Sequence, residues 1–126
     1  MSFEEYQVKV YPGCRTEWYQ NGQLHRLDGP AVERHDGSKI WYQNGQRHRL
    51  DGPAVEYTCG DKFWYQNGQL HRLDGPAREW ANGTTEYWIN GLELSYDDFI
   101  KKTSVTELSV ADIEKLLGYP VKIIKD

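Results

Sequence analysis

The chain has 126 residues, with 15 Lys and Arg against 19 Asp and Glu and a formal net charge of -4. It has no basic run with which to neutralise the phosphates of duplex nucleic acid, and no apolar stretch long enough to suggest a membrane span. Mean hydropathy is -0.81 and 13% of the residues are aromatic, so a thin sheet stapled by large rings fits better than a thick aliphatic core.

The opening "MSFEEYQVKV" has no basic region followed by an apolar one, so no signal peptide is expected and a cytoplasmic chain is. "YQVKVYPGCRTE" (6–17) reads as a degenerate first unit. "WYQNGQLHRLDGPA" then begins at Trp18, "WYQNGQRHRLDGPA" at Trp41, and the first wording returns at Trp64. Asn21-Gly22, Asn44-Gly45, Asn67-Gly68 and Asn90-Gly91 recur every 23 residues, as do Gly13-Cys14, Asp36-Gly37, Cys59-Gly60 and Asn82-Gly83. Two turn signals per period, separated by Trp/Tyr-rich runs, predict two strands per unit. Asn-Gly and Asp-Gly favour the type I′ turns that suit hairpins.

A two-residue loop at Asn44-Gly45 sets Gln43 against Gln46, Tyr42 against Arg47 and Trp41 against His48. Alternation then places Trp41 and His48 on one face, Tyr42 and Arg47 on the other. The same pairing joins Trp18 to His25 and Trp64 to His71. Asp-Gly-Pro (28–30, 51–53, 74–76) turns the chain, with each Asp in an Asx-type turn. A short strand such as "AVEYT" follows. The face of Trp, His and Leu27 alternates as a core would. The Tyr-Arg face, where Leu24 and Leu70 exchange with Arg47, is expected to be wet.

"EYWINGLELSYDDF" (86–99) reads as a degenerate last unit, with Leu94 in the His place and Ser95 in the Arg place. Ser95, with Asp98 three residues on, caps a short helix through Lys102. Ser109 with Asp112 repeats the device before a helix over 110–117, stopped by Gly118. "VKII" (121–124) suggests a last strand. The expected fold is mostly β: an antiparallel meander of 23-residue β-hairpin repeats over 1–93, with a small helical cap over 94–126 folded across the exposed sheet edge.

With these units in view, the chain resembles the MORN repeat family, in a variant whose "WYxNGxxHRxDGPA" units are found in bacteriophages and giant viruses. The resemblance covers residues 8–99. It implies a scaffolding or self-associating role and a phage accessory protein acting in the host cytoplasm, with action against host defence as an extension. MORN units usually have Gly after the His, where Arg26, Arg49 and Arg72 stand here, so no lipid or partner surface carries over.

Two functional readings attach to the repeated residues. One is a binding surface for a host or phage protein, built from Tyr19, Tyr42, Tyr65 and Arg47 or from a sheet edge. The other is a row of His25, His48, His71, Arg26, Arg49 and Arg72 between Trp18, Trp41 and Trp64, holding a nucleotide-type signal. Beside both stands a structural account in which each His packs on its cross-strand Trp and each Arg pairs with Asp or Glu. Self-assembly through the sheet edges into a homo-oligomer is a third role. The chain shows no nucleophile, P-loop or zinc motif, so neither an enzyme nor a metal or cofactor is expected. Cys14 and Cys59 read as free thiols in turns.

Overall fold

The computed structural model describes residues 5–104 and 110–120. β1 (Gln7–Tyr11) and β2 (Arg15–Gln20) form an opening hairpin over the three residues Pro12, Gly13 and Cys14. Then come β3 (Gln23–Leu24), β4 (Val32–Arg34), β5 (Lys39–Ile40), β6 (Tyr42–Gln43) and β7 (Gln46–Arg47). The pattern repeats with β8 (Val55–Glu56), β9 (Lys62–Phe63), β10 (Tyr65–Gln66) and β11 (Gln69–Leu70). β12 (Arg78–Glu79), β13 (Thr85–Ile89) and β14 (Leu92–Leu94) complete the strands, before helices α1 (Tyr96–Thr103) and α2 (Val110–Leu117). The main sheet is an antiparallel meander in the order β1-β2-β4-β5-β8-β9-β12-β13-β14, with β3 beside β2.

The middle units hold four short strands rather than two. Trp41 donates its N–H to the Ala54 carbonyl at 2.7 Å, on the main-sheet side, while its own carbonyl accepts from His48 N–H at 3.1 Å. The strand thus changes partners at the tryptophan, and Trp64 does the same between Ala77 and His71. Each middle unit therefore adds a hairpin to the main sheet and a two-stranded ribbon, β6–β7 or β10–β11, beyond it. Within the ribbon Tyr42 faces Arg47 and Gln43 faces Gln46, as the two-residue loop requires.

The Asn-Gly turns are type I′: the four asparagines have φ of 48 to 52° and the glycines after them 75 to 79°. The Asp36-Gly37 turn is not. Gly37 N–H bonds to the Arg34 carbonyl and Arg34 N–H to the Ser38 carbonyl, which makes a three-residue loop with only its glycine at positive φ. The Asx-type bond lies in this turn, from Ser38 N–H to Asp36 Oδ1 at 2.8 Å, and not at Asp-Gly-Pro. That bond holds the Asp36 carboxyl below its ordinary range.

The core is the reverse of the face that alternation suggests. Val32, Ile40, Val55, Phe63 and Leu70 are buried together, with Leu24, Tyr42, Tyr57, Tyr65, Trp80 and Trp88 packed against them. Leu27 is exposed. It lies past the end of β3, where strand periodicity no longer assigns a face. Phe63 packs edge-on against Trp80 at 4.9 Å between ring centroids.

At the last unit, Ser95 Oγ accepts from Asp98 N–H and starts α1, which runs one residue beyond Lys102. Phe99 is buried and its ring lies 4.6 Å from that of Tyr87 on β13, so α1 packs on the terminal hairpin. Gly118, at φ 77°, closes α2 through a bond to the Glu114 carbonyl. The expected Ser109 cap and the strand over 121–124 lie outside the described residues. Among the described residues no helix is long and apolar enough to cross a membrane.

Candidate functional site

The repeated "HRLDGPA" segments leave the strands and stack as loops on the side opposite the core. In each, the guanidinium folds back over the indole that opens its unit: Arg26 over Trp18 at 4.1 Å, Arg49 over Trp41 at 3.8 Å, Arg72 over Trp64 at 3.9 Å. The Trp is thus covered by the arginine that directly follows the His, not by the His. Arg49 Nε donates to Asp51 Oδ1 at 3.0 Å, and its Nη1 donates to the Pro53 carbonyl at 3.1 Å and Glu56 Oε1 at 3.2 Å. Arg26 makes the same bonds to Asp28, Pro30 and Glu33, and Arg72 to Asp74, Pro76 and Glu79. Arg72 lowers the Asp74 carboxyl from its ordinary range.

This geometry explains the glycine of Asp-Gly-Pro. Gly29, Gly52 and Gly75 are not in the left-handed region. A Cβ on each would stand 3.0, 3.0 and 2.9 Å from the guanidinium carbon of Arg26, Arg49 and Arg72. The glycine is a seat for the arginine and not merely a bend.

The histidines join one unit to the next. His25 Nδ1 accepts the N–H of Asn44 at 3.0 Å, His48 that of Asn67 and His71 that of Asn90. On either side, Arg26 N–H bonds to the Tyr42 carbonyl and Gly45 N–H to the Leu24 carbonyl. The imidazole therefore fills a rung in the ladder between successive Asn-Gly hairpins. The role requires an unprotonated Nδ1, with the ring proton on Nε2. Replacing His25 by Ala is expected to destabilise the fold by about 1–3 kcal/mol, because His25 is buried and its partner loses an acceptor. His48→Ala should cost less, since the Asn67 N–H it serves can turn to water. Paired urea melts of the two variants measure the difference: equal losses would contradict the effect of burial, and no loss in either variant would contradict the rung.

The other candidate residues lie on the core side. Tyr42 and Tyr65 pack on the core, and Arg47 lies over the Tyr65 ring at 5.3 Å. Tyr19 donates its hydroxyl to Glu17 at 3.1 Å, and burial together with that carboxylate raises its phenol. Tyr42 and Tyr65 are thus mainly part of the core, and Arg47 shields one of them. Cys14 and Cys59 are free and exposed. Among the described residues no group of three or more His, Cys, Asp or Glu could hold a metal ion.

The loops leave Leu27, Leu50 and Leu73 outermost, 59, 74 and 56% exposed. The side chains of Asp28, Asp51 and Asp74 stand beside them, 86, 86 and 85% exposed, while each arginine is drawn beneath. Between consecutive loops run grooves of about 530 Å³, walled by Arg26, Trp41, His48 and Arg49, and of about 500 Å³, walled by Arg49, Trp64, His71 and Arg72. The leucine row escapes sequence reading because its parity matches a core strand; the Asp-Gly-Pro after each leucine was the available sign that the strand had ended.

Comparison with family models, curated proteins and solved structures finds no match to this chain.

Proposed function

We propose that the chain is a non-catalytic binding protein whose contact surface is the stacked HRLDGP loops. The observation that carries this reading is the row of three leucines held in the solvent by loops that the arginines make rigid. Exposed large apolar groups at regular intervals on a fixed frame suit a partner surface. Each guanidinium already faces two carboxylates, so the outer aspect of the row is leucine and aspartate. The partner that fits is a protein presenting apolar and basic side chains about 9–10 Å apart, the width of two strands. A phage origin and a target in host defence rest on the repeat resemblance.

The experiment is a comparison of co-purifying proteins between the wild type and a Leu27→Ser, Leu50→Ser, Leu73→Ser variant. Exposed substitutions of this kind leave stability within about 0.5 kcal/mol each, so the melting curve should hold while the partner is lost. A partner retained by the variant rejects the leucine row.

The two grooves favour a second reading, capture of a nucleotide-type molecule between Trp, His and Arg. Against it, an anion would have to displace Asp or Glu from each guanidinium. Native mass spectrometry with a panel of nucleotides separates the two: a discrete mass increase supports capture, and an unchanged mass supports the protein partner.

A further inference from the structure

The two edges of the main sheet are finished differently. At the far edge, α1 packs on the β13–β14 hairpin. At the near edge, every residue of β1 is exposed, Val8 at 50% and Val10 at 64%. Among the described residues no strand pairs with the outer side of β1, and a five-residue strand with exposed valines and such an edge is a template for another strand. We propose that β1 pairs antiparallel with β1 of a second copy of this chain, with Val8 on the two-fold axis.

The register follows from hydrogen bonding. Cys14, just before β2, and Trp18 within it turn their backbone groups towards the β4 side, since His35 N–H bonds to the Cys14 carbonyl and Trp18 N–H to the Ala31 carbonyl. Alternation therefore turns Arg15, Glu17 and Tyr19 towards β1, where their partners are Tyr11, Lys9 and Gln7. The N–H and C=O groups of Val8 and Val10 point outward. A two-fold axis perpendicular to the sheet keeps equivalent faces together and pairs residues of like parity.

Three such registers are available near the strand centre. Centring on Lys9 sets two ammonium groups face to face, which opposes pairing. Centring on Val10 brings Val8 against Pro12, which has no N–H to give. Centring on Val8 pairs Val8 with its own copy and Tyr6 with Val10, sets Lys9 opposite Gln7, and puts Glu5 on one diagonal of Lys9 and the Lys9 of the second copy on the other. Only this last register uses the outward groups and leaves no like charges opposed.

The consequence is geometric. Tyr6 and Val8 line a groove of about 200 Å³ with Trp18, Arg26 and Asp28, on the side of the HRLDGP loops. Pairing through β1 would place the loop rows of both copies on one face of a continuous sheet and double the row. The pairing does not depend on what the loops bind.

Mass in solution is the first test, by light scattering on the full chain across a concentration series. A rise from 14.7 kDa to twice that value is expected; a monomer at every concentration overturns the proposal. Val8→Pro removes only an outward N–H, so it should abolish the dimer and leave the circular dichroism and melting curve of the monomer. A dimer that persists in folded Val8→Pro overturns it as well. In a Cys14→Ser, Cys59→Ser background, Val8→Cys should cross-link on oxidation, since paired Cα atoms about 5.5 Å apart lie within disulfide reach. Lys9→Cys should not cross-link. The reverse result assigns another register and rejects this one.

Discussion

Arg49→Ala is expected to lower stability by about 2–3 kcal/mol, with a fall in melting temperature of about 8–15 °C. The side chain makes three hydrogen bonds and covers the Trp41 ring. Two of its bonds reach carboxylates, but Asp51 is largely in water, so that pair is worth only part of a buried one. The larger share comes from Glu56, the Pro53 carbonyl and the indole, which lose their partner together. Arg49→Lys should recover less than half: an ammonium is a single point and cannot reach Asp51, Pro53 and Glu56 at once while lying flat on the ring.

A second substitution isolates the cause. Gly52→Ala in the wild type must push the guanidinium off its seat, whereas in the Arg49→Ala background the new methyl meets no guanidinium. A double-mutant cycle should therefore show coupling of about 1 kcal/mol or more. If Arg49→Ala instead melts with the wild type, the guanidinium is free to serve a ligand and the nucleotide reading gains its best residue.

How far the sequence discloses this arrangement depends on how local each cause is. The ribbon pairing is local: Asn-Gly fixes a two-residue loop, and the loop sets Tyr42 against Arg47. The first α1 turn is local too, since Ser95 and Asp98 lie three apart. The histidine rung is not, because it spans 19 residues and substitutes a side chain for a backbone acceptor. A trace of it was nevertheless present. The last unit has Leu94 in the His place, and no further Asn-Gly turn follows it. A residue whose task is to receive the next unit is missing where there is none. The same logic explains why Arg26, Arg49 and Arg72 recur while Ser95 does not: no Asp-Gly-Pro follows Ser95.

The face inversion has a different origin. Alternation was counted from the Asn-Gly turn outward through His25 to Leu27, yet β3 ends at Leu24. Beyond that point the contacts of Arg26, and not the pleat, decide where Leu27 goes. The residues that do fill the core, Val32, Ile40, Val55 and Phe63, come from the other hairpin of each unit. There "AVE" and the residue before each Trp bring apolar groups together from both sides of the Asp36 and Cys59 turns.

Removing residues 41–63 is expected to leave a folded protein, while removing 41–64 is expected to leave none. The first deletion joins Ile40 to Trp64 in the sense that Ile40 already precedes Trp41. His25 would then receive Asn67 N–H, Arg26 N–H the Tyr65 carbonyl, and the Leu24 carbonyl Gly68 N–H, each in the place of an identical residue. In the main sheet β5 would take the place of β9 and lie beside β12, with Ile40 against Arg78 as Phe63 is now. The shortened chain loses Val55 and the Phe63–Trp80 contact, so it should melt about 10–20 °C lower but cooperatively. The second deletion removes one residue more. Either Tyr65 takes the Trp place and leaves the core, or Ile40 takes it and Lys39 is driven into the core, because one step along a strand exchanges its faces. Circular dichroism and thermal melts of the two chains test this directly. Equal stability would mean that the units are not held in register by His25, His71 and the core rows, and a failure of both would mean that neighbouring units are not interchangeable despite their identical loops.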